Sequence, residues 1–125
     1  EVTEGVLVKN VHVLERCVNR LHEMGFRVSI DDFGTGYSSL SVLADMPADV
    51  VKIDKSFINK DMNGKKMDIL YEIGRMVKIL QKDIIIEGVE TEEQEKLLIN
   101  GGFTCGQGYL CNKPIPIGEF EKLYL

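Results

Sequence analysis

Residues 31 to 40, Asp-Asp-Phe-Gly-Thr-Gly-Tyr-Ser-Ser-Leu, carry the strongest chemical signal in the sequence. The adjacent carboxylates Asp31 and Asp32 end an alternating apolar segment and run into a glycine-containing turn. That places two hard oxygen ligands at a strand end, where α/β proteins hold their catalytic groups. Such a pair suits Mg²⁺ or Mn²⁺ held against a phosphate. Lys52, Glu87 and Gln107 also fall at the ends of predicted strands, and in a parallel sheet all such ends share one face. Clustered carboxylates repel one another and persist at neutral pH only if cations or hydrogen bonds compensate. Lys52 adds one positive charge, and divalent ions would add more. Carboxylates with a lysine fit metal-assisted attack of water on a phosphodiester.

Taken singly, each of these residues has a plainer use. Paired aspartates form turns and caps, a lysine before Ile53-Asp54 can lie on the surface, and Glu87 before a glycine can cap a helix. Gly34-Thr35-Gly36 is a weak phosphate-loop signal, because Ser39 stands where GxGxxG needs a glycine. His12 and His22 fall on the polar side of the first predicted helix and read as solvated. Met62, Met67 and Met76 read as loop and core residues.

The elements that must position these groups follow from periodicity. Leu14, Cys17, Val18, Leu21 and Met24 make one face of a helix from Val11 to Met24, with Gly25 as its cap. Phe26, Val28 and Ile30 then alternate with Arg27, Ser29 and Asp31, which predicts a strand. The apolar set would face helices, Arg27, Ser29 and Asp31 would point into a barrel, and Asp32 would lie at its rim. A short helix is expected from Ser38 to Met46, stopped by Pro47. A strand follows over Asp49–Asp54, then a loop over Phe57–Gly64 and a helix over Lys66–Leu80. Ile84–Glu87 reads as a buried parallel strand. Thr91-Glu-Glu-Gln94 is a capping box opening a helix to Asn100, closed by Gly101-Gly102. Phe103–Cys105 is expected to be a strand before a turn at Gly106–Tyr109, and a last helix spans Gly118–Leu123. Glu1-Val2-Thr3 has the character of another strand's stub. Repeated strand–helix alternation implies a parallel sheet, either a barrel or an open doubly wound sheet.

Composition narrows the function classes. The chain has 125 residues, 44% of them hydrophobic and 28% charged, which is the balance of a packed domain. A formal charge of −5 argues against a broad DNA-binding face. No apolar run is long enough to span a membrane. Cys17, Cys105 and Cys111 form no CxxC pair and read as reduced thiols of a cytoplasmic protein. The chain opens without methionine, as an excerpt of something longer would.

Together the segments resemble the EAL-domain family of bacterial cyclic di-GMP phosphodiesterases. The matching stretches are Glu1-Val-Thr-Glu4, Asp31 to Leu40, Val51-Lys-Ile-Asp-Lys-Ser-Phe-Ile58, Glu87-Gly-Val-Glu-Thr91, and Gly106-Gln-Gly-Tyr-Leu110 with Pro114. The resemblance implies a (β/α)₈ TIM-type barrel with one strand reversed. It also implies two Mg²⁺ or Mn²⁺ ions and hydrolysis of cyclic di-GMP to linear pGpG. On this resemblance Glu1 would be a ligand of the first metal, Asp31 the bridging ligand and Asp32 a ligand of the second. Lys52 would contact the nucleophilic water or the scissile phosphate. Glu87 would bind the second metal or its water and act as general base directly or indirectly, and Gln107 would orient the water or its neighbours. Glu90 and Thr35 would anchor the loop after Asp32, and Asp54 and Pro114 would touch substrate. The region 33–46 would lie at a homodimer contact.

Two departures from the family pattern bear on these expectations. The signature Glu-Ala-Leu strand, and the asparagine of the strand after it, lie upstream of Glu1 in the family. A whole barrel needs about 250 residues, so the chain resembles the C-terminal half of one. Gly5 and Cys111 stand where the family usually has a serine and an aromatic. The parent domain is expected to be active, in the cytoplasm or tethered to a membrane through other domains. This chain alone is expected to be inactive, and to pair with the missing half-barrel or with itself. The alternative is a catalytically silent receptor that binds cyclic di-GMP or a protein partner.

Overall fold

Five parallel strands lie side by side in chain order in a computed structural model, which describes residues 1–7, 11–36, 40–58 and 64–125. The elements are β1 (Val2–Thr3), α1 (Glu4–Leu7), α2 (Val11–Glu23), β2 (Ser29–Phe33), α3 (Leu40–Asp45) and β3 (Val50–Ile53). A 3₁₀ turn (Lys55–Phe57) precedes α4 (Lys65–Ile79), β4 (Asp83–Glu87), α5 (Glu92–Asn100), β5 (Gly106–Gln107) and α6 (Ile117–Tyr124). The order never reverses, so the sheet lacks the switch point of a doubly wound fold and forms an arc of a TIM-type barrel. Every residue of β3 is buried, as expected for a strand covered on both faces. Ile30, Val51, Ile53 and Ile86 from the strands pack with Val18, Leu43, Leu70, Val77 and Leu98 from the helices. Burying each large aliphatic side chain is worth about 2 kcal/mol.

Two expected strands are displaced for one shared reason. The first begins at Ser29 rather than Phe26, and the last is Gly106–Gln107, where a turn was expected, rather than Phe103–Cys105. In both cases the apolar residue after the glycine closes the preceding helix. The N–H of Phe26 donates to the Leu21 carbonyl at 3.0 Å and that of Gly25 to His22 at 2.9 Å. The N–H of Phe103 likewise donates to Leu98 at 3.0 Å and that of Gly102 to Ile99 at 2.9 Å. Gly25 and Gly102 have φ of 83° and 80°, the left-handed conformation this closure requires. Phe26 ends 57% exposed instead of facing a helix, whereas Phe103 is buried beside Leu98 in the core.

The other elements stand close to their expected places. The capping box forms in full: the Gln94 N–H donates to Thr91 Oγ1, and Gln94 Oε1 accepts from the Thr91 N–H. The short helix α3 starts at Leu40, and the expected start at Ser38 lies outside the described residues, as does Met62. Met67 and Met76 join the core or pack against it. The short helix α1, which periodicity did not signal, follows directly on β1. All three cysteines are unpaired and exposed. Among the described residues no helix is long and apolar enough to cross a membrane.

His12 is solvated as expected, but His22 is not simply solvated. Its Nε2 lies 2.9 Å from Asp49 Oδ2, which also accepts the Val28 N–H at 2.6 Å. Burial pushes the Asp49 carboxyl up, but the Val28 N–H and His22 outweigh it and leave it below its ordinary 3.8. A depressed carboxyl gives stability that is present above its unfolded value and lost as pH falls through its folded one. Asp49→Asn is therefore expected to cost about 1 kcal/mol at neutral pH. That difference should shrink below about pH 4 in urea unfolding at a series of pH values. A constant difference down to pH 2.5 would contradict the assignment.

Candidate functional site

The C-terminal ends of β2, β3 and β4 bring together the groups expected to do chemistry. Lys52 comes from the fully buried β3, and its side chain is only 6% exposed. Its Nζ lies 2.8 Å from Asp31 Oδ1, 2.8 Å from Glu87 Oε1 and 3.1 Å from Glu1 Oε1. Burial alone would lower the Lys52 ammonium, but contacts with Asp31, Glu87 and Glu1 overcome it and raise the group above the usual lysine range. Lys52 is therefore a fixed positive charge at neutral pH. Glu1 reaches it from a side chain 59% exposed.

Asp31 and Asp32 are consecutive, so a regular strand would send them to opposite faces. The register between β2 and β3 is irregular between Ile30 and Phe33, and Asp32 has φ of 55°. That left-handed conformation costs an aspartate about 1 kcal/mol. It lets one oxygen each from Asp31, Asp32 and Glu87 lie within 4.8 Å of one another, close enough for a shared cation. Asp31 Oδ1 is buried, and its contact with the Lys52 ammonium is an ion pair. An all-oxygen donor set of this kind fits Mg²⁺ or Mn²⁺. Four carboxylates against one ammonium also leave a negative site that favours divalent cations.

Glu4 is the residue that sequence reasoning left without a role. It is 3% exposed, and its Oε2 accepts the N–H groups of Gly34 and Gly36, both at 2.9 Å. It thereby holds the loop that follows Asp32. The available signal was a second glutamate three residues after Glu1. Glu90 is exposed, and among the described residues only its backbone N–H is engaged, donating to Gln94 Oε1. Thr35 contributes locally, its hydroxyl donating to the Asp32 carbonyl at 2.9 Å. Asp54 caps the 3₁₀ turn by accepting the Ser56 N–H at 2.8 Å.

Gln107 is the direct cross-strand partner of Glu87. It also lines an apolar cavity of about 720 Å³ with Tyr109, Pro114, Phe120 and Tyr124. Its position depends on Gly108, where an added Cβ would stand 2.1 Å from the Val89 carbonyl oxygen and 2.3 Å from its nitrogen. Backbone cannot yield as a side chain can, so Gly108→Ala should force β5 away from β4. The expected loss is about 3 kcal/mol in chemical denaturation. Wild-type stability in that variant would contradict the close approach.

A family model described as EAL domain matches residues 1–114. Among curated proteins, the cyclic di-GMP phosphodiesterase NbdA of Pseudomonas aeruginosa is 40% identical over 98% of the chain and 16% of its own length. The signaling protein YkoW of Bacillus subtilis is 41% identical over the full chain and 16% of its length. The crystal structure of the EAL domain of Mycobacterium smegmatis DcpA superposes with a TM-score of 0.88 at 37% identity, covering 97% of this chain and 55% of that one. The chain thus spans less than a fifth of these curated relatives and about half of that solved domain.

Proposed function

The chain belongs to the EAL domain family, and on that premise we propose that the protein containing it hydrolyses cyclic di-GMP to linear pGpG with two divalent cations. The observation that supports this most is the convergence of Asp31, Glu87 and Glu1 on one buried lysine, with Asp32 drawn to the same side by its left-handed turn. Asp31, Asp32 and Glu87 would hold the cations, with Glu1 completing one of them alongside groups from the rest of the barrel. Bound cations would polarise the phosphodiester and make an attacking water more acidic. Glu87 would take the water's proton, and Gln107, beside it in register, would orient that water. Lys52 would neutralise charge gathering on the phosphoryl oxygens. The new bond joins the water oxygen to phosphorus, and the ester bond to one 3′ oxygen breaks, leaving a 5′-phosphate on the linear product.

Residues 1–125 on their own would be inactive or nearly so, because Glu1 and Asp31 alone cannot complete the first metal position. Glu90 and Thr35 remain candidates for steadying the loop after Asp32, the former in the substrate-bound state. Asp54 and Pro114 remain candidates for substrate contact, Pro114 through the cavity that Gln107 also lines. A homodimer through residues 33–46 would use the exposed Leu40, which lines an apolar groove with Ile69 of the neighbouring α4. Exposed thiols and a nucleotide substrate suit the bacterial cytoplasm. The test is chelation of the full-length protein followed by addition of Mg²⁺ or Mn²⁺. Turnover should vanish and return; turnover that survives complete chelation would refute the metal-dependent reading.

A further inference from the structure

We propose that the Lys52 ammonium is the resident cation of the metal-free site, and that an entering divalent ion must displace it from Asp31 and Glu87. This rests on the metal-dependent reading above and goes beyond it to the order of events. Lys52 Nζ contacts three carboxylates that would otherwise repel one another, and two of them belong to the oxygen cluster that fits a cation. A divalent ion shared by Asp31 and Glu87 would bring two positive charges close to an ammonium held 2.8 Å from each. Like charges at that range repel strongly in a partly buried site. The flexible four-carbon stem of Lys52 then lets its head swing off the carboxylates while its base stays fixed in β3.

Two consequences follow. The same lysine preserves the geometry of the empty site and weakens its cation affinity. It also becomes available to a phosphodiester only after cations have taken its partners, so metal loading precedes productive engagement of substrate.

The experiment uses full-length protein carrying ¹³C,¹⁵N-lysine, titrated with Mg²⁺ in the absence of nucleotide while calorimetry measures occupancy. The Lys52 ammonium signal, identified by its loss in Lys52→Arg, should be protected from exchange in metal-free protein. It should lose that protection in proportion to Mg²⁺ bound. Lys52→Met, confirmed folded by circular dichroism, should bind Mn²⁺ about tenfold more tightly than wild type. If that variant does not fold, the wild-type titration decides. No protected signal before Mg²⁺, protection unchanged at saturation, or a folded Lys52→Met that binds no more tightly would each overturn the displacement alone. Absence of binding by either ion would overturn the metal-dependent reading and the displacement with it.

Discussion

Asp31→Asn should lower cyclic di-GMP hydrolysis by the full-length protein by roughly a thousandfold, about 4 kcal/mol of transition-state stabilisation. Asp31 takes part in both arrangements at the site. Its carboxylate pairs with Lys52 at 2.8 Å and belongs to the oxygen cluster with Asp32 and Glu87. An asparagine keeps the shape and one acceptor but loses the charge that draws a divalent ion. Glu87 and Glu1 continue to neutralise Lys52, so the variant should fold. The loss should therefore appear in kcat/KM and in Mn²⁺ affinity, with a melting temperature near that of wild type. A variant retaining a tenth of wild-type turnover would remove Asp31 from the reaction.

The second large effect is expected at Glu4, which acts through the loop that follows Asp32. Glu4→Ala strands the N–H groups of Gly34 and Gly36, both of which donate to its carboxylate. Losing two charge-assisted hydrogen bonds should cost about 3 kcal/mol in urea unfolding. The loop begins at Asp32, whose left-handed backbone is tolerated only while its surroundings fix it. Once the loop is released Asp32 can relax, and cation affinity should fall about tenfold to a hundredfold. Glu4→Gln keeps an oxygen acceptor facing both N–H groups and should recover most of the stability. Because the glutamine variant separates a positioning carboxylate from a metal ligand, equal loss of Mn²⁺ binding in both variants would contradict the positioning role.

The alternation of strand and helix, the parallel sheet and the strand-end location of Asp31, Lys52 and Glu87 were all readable from periodicity alone. They depend on local pattern, and local pattern survives folding. The misplaced strands at Phe26 and Phe103 show where pattern fails. An apolar residue after glycine satisfies a strand template and a helix-closing template equally well, and only the hydrogen bonds to Leu21 and Leu98 decide between them. At the site, the residue types announced metal chemistry, but their division of labour was less legible. Asp54, expected at the substrate, also caps the 3₁₀ turn. Glu4 holds the loop through Gly34 and Gly36, a role the sequence does not announce, because a buried carboxylate and an exposed one look alike in a sequence. The left-handed turn that gathers both aspartates had no sequence signal beyond aspartate's own tolerance for that conformation.

The most direct test is to incubate the full-length protein with cyclic di-GMP in ¹⁸O-water with Mg²⁺ or Mn²⁺, and to identify the nucleotide by mass spectrometry. The expected result is linear pGpG carrying one ¹⁸O on its 5′-phosphate, formed only when a divalent cation is present. Cyclic di-GMP bound to the protein but recovered intact with both cations would contradict hydrolysis and leave a silent receptor in its place.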